Sequence, residues 1–345
     1  MVPIQGEKLI SYAEFIDRAL YDKTSGYYTK GGAIGKDGDF FTSPTMSDIF
    51  AEIIFYYFIK IIQKKNLPAY FCEIGSGTGA FARAFLKASE KEPFIRNKIR
   101  YFSVEKSPAF RALQQDLTFD FRFRLFSHIE EVQPFSGMIF SNEFFDALPV
   151  HVITKKQGKL FEVMLAEKDD TFIEVEVPLS NQAIIDYLDR HPELLIRENH
   201  RMEIPIAMVV QYKKLARLLK KGMIVTIDYG YTFEDLKRPT LKNGSLRGFR
   251  NHRLITEPLN AQGEIDITSH IHFDALMKLG EDFGYSTRQF LRQDEFLIEN
   301  EILNGIQNCS ELDPFHPIHK KNRAIRTLVD PNGISGFFHV LIQEK

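Results

Sequence analysis

The chain is poor in cysteine, in unbalanced charge and in long apolar runs. Cys72 and Cys309 are its two cysteines and lie far apart. They cannot form a CxxC-type zinc site, and a reducing, cytoplasmic setting fits them. With 44 Lys and Arg against 46 Asp and Glu, the net charge is -2. No field of one sign results, which argues against nucleic acid as a partner. The opening stretch MVPIQGEKLISYAEF has no cationic start followed by an apolar signal core. The most apolar run, IFAEIIFYYFIKII from Ile49 to Ile62, is too short to span a bilayer and contains Glu52 and Lys60. It predicts a buried helix and no membrane association. There is no internal repeat and no low-complexity tract.

What is present suffices for a sizeable core: 345 residues, 44% hydrophobic, in one large or two moderate domains. Residues 1–65 read as a helical segment around a glycine-rich loop. From there AYFCEIG, IRYFSVEKS, FRFRLF, GMIFSNE, KKGMIVTIDYG and SGFFHVLIQEK read as strands. Helical spacing appears between them, as in AFARAFLKA, where Phe81, Ala84, Phe85 and Ala88 fall on one face. This alternation predicts an α/β fold with a mostly parallel sheet over residues 66–345. Two insertions interrupt it. Residues 151–200 read as β-rich, with a hairpin turning at Gln157–Gly158, and residues 231–268 as a long aperiodic loop. Both are expected to build a substrate cap over the carboxyl edge of the sheet, where ligands of open α/β sheets bind.

The stretch CEIGSGTGAFARAF follows a strand and opens a helix. Gly75, Gly77 and Gly79 allow a tight turn and close approach of backbone to ligand, and the helix start offers unpaired N–H groups. Gly75, Gly77 and Ala80 also satisfy G-x-G-x-x-A, a dinucleotide fingerprint. Glu73 opposes that reading, because a carboxylate suits an ammonium or sulfonium group better than a pyrophosphate. Glu105, ending the next strand, can accept both hydroxyls of an unphosphorylated ribose. S-adenosylmethionine fits this pattern best. An NAD-type oxidoreductase and a non-catalytic, cofactor-binding assembly factor are the alternatives.

The segment IFSNEFFDALPVHV starts as an apolar strand and ends in Asn142, Glu143 and Asp146. Together with GDFFTSP, IDYGY, GSLRGFRNHR and DITSHIHF in the same order, it resembles the MidA-like family of S-adenosylmethionine-dependent methyltransferases. That family includes a mitochondrial protein arginine methyltransferase needed for complex I assembly. The resemblance implies a class I methyltransferase-type, Rossmann-like fold and a protein substrate. It also implies cofactor contacts at Glu73, Gly75, Gly77, Gly79 and Glu105, and it sets NEFFDALP beside the methyl group. Phe41 and Ser43, on a loop that reads as a lid strip over the cofactor, and Ile129 are further candidates for cofactor contact. His272 stands where relatives tend to have aspartate.

An arginine acceptor stays protonated at neutral pH, and carboxylates are the matching partners of its guanidinium. Glu143 and Asp146 could hold the fork while Asn142 accepts from it, and Phe144 and Phe145 could pack against the flat cation or the adenine. A structural alternative has Asp146 capping the turn before Pro149. His270 and His272 invite a metal reading, but an ordered loop with hydrogen-bonded histidines is the simpler one, and no metal is expected. Arg247, Arg250 and Arg253 form a local basic cluster, suited to a solvated face, to cap closure or to contact with an acidic substrate.

Overall fold

The computed structural model describes residues 8–31, 48–168, 171–250, 253–255, 258–260, 263–311 and 313–345. Phe41, Ser43, the rest of GDFFTSP and His252 lie outside the described residues. The chain forms two compact units, one from residues 33–144, 214–229 and 280–345, the other from 1–32, 145–213 and 230–279. No helix among the described residues is long and apolar enough to cross a membrane.

The first unit is built on a sheet. From one edge its strands run Phe123–Phe126, Arg100–Val104, Tyr70–Ile74, Phe135–Asn142, Leu219–Tyr231, Phe338–Glu344 and Ser286–Arg292. The first five pair in parallel, and Phe338–Glu344 runs antiparallel to both its neighbours. After Tyr70–Ile74 the chain moves to one side through Arg100–Val104 and Phe123–Phe126, then returns to the other as Phe135–Asn142. That reversal is a topological switch point, where a crevice opens at the carboxyl ends of the strands. Register pairs Ile74 with Ser141, so the loops leaving these two strands start side by side.

Phenylalanines lock this arrangement. The apolar helix Asp48–Lys65 is buried along most of its length. Its Phe58 ring lies 5.4 Å from Phe71, and Phe71 lies 4.3 Å from Phe85 of the helix Ala80–Ser89. Phe81, in the first turn of that helix, stacks on Phe140 at 4.7 Å. Offset and edge-on ring pairs add about 0.5–1.5 kcal/mol each beyond burial. The helix after the glycines and the strand leading to Asn142 are thus held by one aromatic core.

The division of the chain departs from expectation in two ways. Residues 48–65 belong to the sheet unit, so the boundary expected at 65/66 is not a structural one. The aperiodic reading of 231–268 also fails: Arg247–Arg250, Arg253–Ile255 and Asp266–Thr268 form a three-stranded antiparallel sheet. Strands of three or four residues are too short to display an alternation. The hairpin His151–Lys156 and Lys159–Lys168 does turn at Gln157 and Gly158, with φ of 51° and 75°. Both central residues of a type I′ two-residue turn need that left-handed region. The helix Tyr12–Tyr21, capped by the Ser11 hydroxyl accepting from Glu14 N, buries Phe15, Ile16 and Ala19 against Val152, Val163 and Ile267.

Candidate active site

Gly75, Gly77 and Gly79 leave the 70–74 strand with φ of 71°, 54° and 75°, a region L-residues rarely adopt. Two of them also face steric limits. A Cβ on Gly75 would lie 2.9 Å from Phe144 Cδ2, so the ring of the Asn142–Phe144 loop rests on the glycine turn. On Gly77 an added Cβ would meet nothing within 4 Å among the described residues. Among them the left-handed backbone, not a neighbouring atom, favours glycine at 77, and the space beside it is open for a ligand.

Glu105 closes the turn from below. One carboxylate oxygen accepts from Gly77 N at 2.8 Å and the other from Ser107 N at 2.7 Å. The Lys106 amide bonds to the same carboxylate, and its remaining acceptor capacity suits one further donor, such as a ribose hydroxyl. Burial pushes its pKa up to about 7, with the Ser107 and Gly77 amides pulling the other way. Glu73, 5% exposed, accepts from the Tyr101 hydroxyl at 2.5 Å. Burial lifts Glu73 to about 8, opposed by the Tyr101 bond and aided by the Glu105 charge. Glu73 is thus mostly protonated at neutral pH, unlike the standing negative charge expected from its position in the sequence.

A brace absent from the sequence reading holds the turn. Gln114 Nε2 donates to Gly77 O at 2.7 Å and to Ser76 Oγ at 2.9 Å, and Gln114 Oε1 accepts from Ser103 Oγ at 2.7 Å. Ser103 Oγ also lies 2.6 Å from Ser76 Oγ. Gln114 is fully buried. Nothing in its local sequence marks it, because its partners lie 11 to 38 residues away.

At the adjacent strand end, Asn142 Nδ2 donates to Glu143 Oε1 at 2.9 Å. Glu143 sits at φ 50° and donates its own N–H to Ile227 O at 3.0 Å. A non-glycine residue in that region is strained by about 1–3 kcal/mol, and such strain concentrates at functional sites. Asn142 Oδ1 is buried with no hydrogen-bond partner among the described residues. Ile129, 7% exposed, opens a 3-10 turn after Phe123–Phe126, at the same end of the sheet. Asp146 belongs to the other unit. It is 4% exposed, its backbone carbonyl accepts from Ser269 N, and its charge bears on Tyr28, whose hydroxyl donates to Asp266 at 2.7 Å.

The histidines are engaged separately. His272 Nδ1 is 2.8 Å from the Tyr187 hydroxyl, and the His270 ring stacks on Tyr231 at 4.5 Å. Burial lowers them to about 3 and about 4 respectively. Among the described residues no group of three or more His, Cys, Asp or Glu could hold a metal ion.

Residues 53–291, which include the glycine turn, its brace and the Asn142–Glu143 pair, match the model of a family described as "Putative S-adenosyl-L-methionine-dependent methyltransferase". The chain belongs to this family. The enzyme is 26% identical over 311 residues to "Protein arginine methyltransferase NDUFAF7 homolog, mitochondrial" of Drosophila melanogaster, covering 80% of this chain and 67% of that one. With the Danio rerio protein arginine methyltransferase NDUFAF7 it shares 25% identity, over 79% of this chain and 69% of the relative. A superfamily member from Burkholderia thailandensis, crystallised with S-adenosyl-homocysteine, has the same fold. The two superpose with a TM-score of 0.86 at 24% identity, over 98% of this chain and 88% of the other. This methyltransferase therefore has the class I α/β fold expected of it, and its cofactor is S-adenosylmethionine.

Proposed function

We propose that this methyltransferase acts on a protein side chain, arginine first, with Glu143 holding the acceptor. The observation that carries the reading is Glu143 itself: a carboxylate on a strained, left-handed backbone at the switch point, bonded to Asn142, in a loop whose Phe144 rests on the glycine turn. The names of the Drosophila and Danio relatives, protein arginine methyltransferases, support the same substrate class. The turn suits the cofactor: Gly77 leaves open space, Glu105 keeps acceptor capacity for a ribose hydroxyl, and Glu73 can ionise toward a cationic tail. Gly75 and Gly79 shape the same turn, and Ile129 lies at the same end of the sheet. When bound, S-adenosylmethionine supplies an electrophilic methyl on its sulfonium.

The chain's own task is then positioning. A guanidinium fork donates to the Glu143 carboxylate, which fixes its plane and aims one nitrogen. Asn142 Nδ2 fixes the carboxylate in turn, and the buried Asn142 Oδ1 offers an acceptor to the same cation. As the nitrogen gains its methyl it must lose a proton, and the nearby carboxylate is the first acceptor.

The test is methylation of a cell lysate with labelled S-adenosylmethionine, followed by identification of the modified residue. Glu143→Gln keeps size and shape and removes the charge. Turnover should fall tenfold or more, since a charge-assisted hydrogen bond contributes about 1.5–3 kcal/mol, while cofactor affinity and melting temperature stay near the parent's. Full transfer by Glu143→Gln, or labelling confined to a non-protein acceptor, would overturn the reading.

A further inference from the structure

The unit formed by residues 1–32, 145–213 and 230–279 contains a cleft of its own, walled by the segment Leu195–Glu203 on one side and by Tyr231 with residues 236–245 on the other. Glu203, an acid on its floor, is already engaged. Its carboxylate accepts from Ser245 N at 2.9 Å, Ser245 Oγ at 3.0 Å and Leu246 N at 3.4 Å. Gly244 approaches it so closely that a Cβ there would fall 2.2 Å from Glu203 Oε1. Two of the arginines lining the cleft are engaged too: Arg201 pairs with Glu174 at 2.7 Å, and Arg238 with Asp235 at 2.5 Å.

The remaining polar groups are unspent. The side chains of Arg197, His200 and Tyr231 line the cleft and make no hydrogen bond or ion pair among the described residues. Tyr231 is anchored by its ring, stacked nearly parallel on His270 with 7° between planes. Arg247, on the strand that continues from Ser245, likewise has no ion pair among the described residues. Burial raises the Tyr231 phenol, and Arg247 followed by Arg238 are the cations that oppose it. The uncommitted groups lining the cleft are thus one guanidinium, a phenol and an imidazole, with the Arg247 guanidinium beside it, near enough for its charge to bear on Tyr231. All can donate, and guanidinium forks match carboxylate and phosphate oxygens.

We propose that this cleft binds an anionic group, a carboxylate or a phosphate, carried by the protein substrate. Arg197 stands exposed at the rim, where a passing chain can present such a group, and Tyr231 donates from the wall. The proposal rests on the protein-methylating reading for the carrier of the anion. Its recognition chemistry comes from the cleft alone.

The experiment measures binding, not methyl transfer, so the two readings can fail separately. Dye-labelled pentaglutamate, pentaglutamine and a glycine pentapeptide with a central phosphoserine are titrated with the full chain by fluorescence anisotropy. At least one of the two anionic peptides should bind, the tighter one identifying carboxylate or phosphate as the source, and pentaglutamine should not. Affinity should drop several-fold between low and physiological salt. The double variant Arg197→Gln, Arg247→Gln should weaken binding tenfold or more with S-adenosylmethionine affinity unchanged, and Tyr231→Phe about threefold. Should the double variant fail to fold, Arg197→Gln alone, at the exposed rim, gives the same comparison. Equal binding of pentaglutamine and the anionic peptides, or affinity unaffected by the arginine substitutions, overturns the proposal. An active arginine methyltransferase that ignores both anionic peptides would overturn it while leaving the acceptor reading intact.

Discussion

The two units of this chain differ in how far their order follows the sequence. In the sheet unit strands and helices alternate along the chain, the strands from Tyr70 to Phe126 each pair with the next in sequence, and the glycine turn lies between a strand and the helix after it. In the other unit a three-residue strand, Leu9–Ser11, pairs with residues 164–166, and Arg247–Arg250 pairs with Asp266–Thr268. Local pattern is strong where a strand is long and buried on both faces, and weak where three residues suffice to make an edge. The functional groups follow the same division. The glycine turn announces itself, whereas the cleft at Tyr231 draws on residues 197 to 245 and shows only as a scatter of arginines.

The sharpest way to break this contrast is at Gly77. Gly77→Val should abolish S-adenosylmethionine binding, with affinity lowered more than a hundredfold, because its side chain would occupy the open space beside the turn. The fold should survive, carrying a strain of about 1–2 kcal/mol from the left-handed backbone. Calorimetry with S-adenosylmethionine and NAD side by side would check both; retained cofactor affinity would show that the turn is not the site.

Gln114→Ala tests the hidden part of the same unit. Three polar groups, Gly77 O, Ser76 Oγ and Ser103 Oγ, lose a buried partner, for a cost of about 1–3 kcal/mol each where none is recovered. Melting temperature should fall and cofactor affinity should drop about tenfold, with turnover at saturating cofactor unchanged. Chemical denaturation and a kinetic separation of KM from kcat would read these effects.

The pH dependence is smaller and has a definite sign. Glu73 and Glu105 are raised to about 8 and about 7 from an ordinary 4.5. Their neutral forms favour the folded, cofactor-free chain, so this contribution is fully present below 4.5 and fades as pH rises through 7 and 8. A cationic ligand beside Glu73 favours its ionised form, so binding releases a proton. S-adenosylmethionine affinity should therefore rise between pH 6 and 8, by up to about tenfold per unit for each proton released. Titrations in buffers of different ionisation enthalpy would count the protons; flat affinity across that window would mean that Glu73 stays protonated in the complex.

The smallest effect belongs to the other unit. Asn181 caps the helix Gln182–Arg190, its Oδ1 accepting from Ala183 N at 3.1 Å. Asn181→Ala should cost about 1 kcal/mol of stability and leave cofactor affinity untouched. A change in S-adenosylmethionine binding from this position would show that the two units are energetically coupled.

The sequence by itself determined the parallel sheet, the glycine turn, the acids at 73, 105 and 143, and the hairpin at Gln157–Gly158. Each of these rests on short-range physics: the period of burial, the need for positive φ, and a polar residue ending an apolar strand. Only the tertiary structure decided that Gln114 braces the turn, that Glu73 is buried against Tyr101 and mostly protonated, and that Asp146 lies with Tyr28 and Asp266. Those outcomes depend on which side chains meet across 11 to 238 residues of chain and on how much water they lose when they do. Desolvation and long-range hydrogen bonding leave no periodic trace in the residues that undergo them.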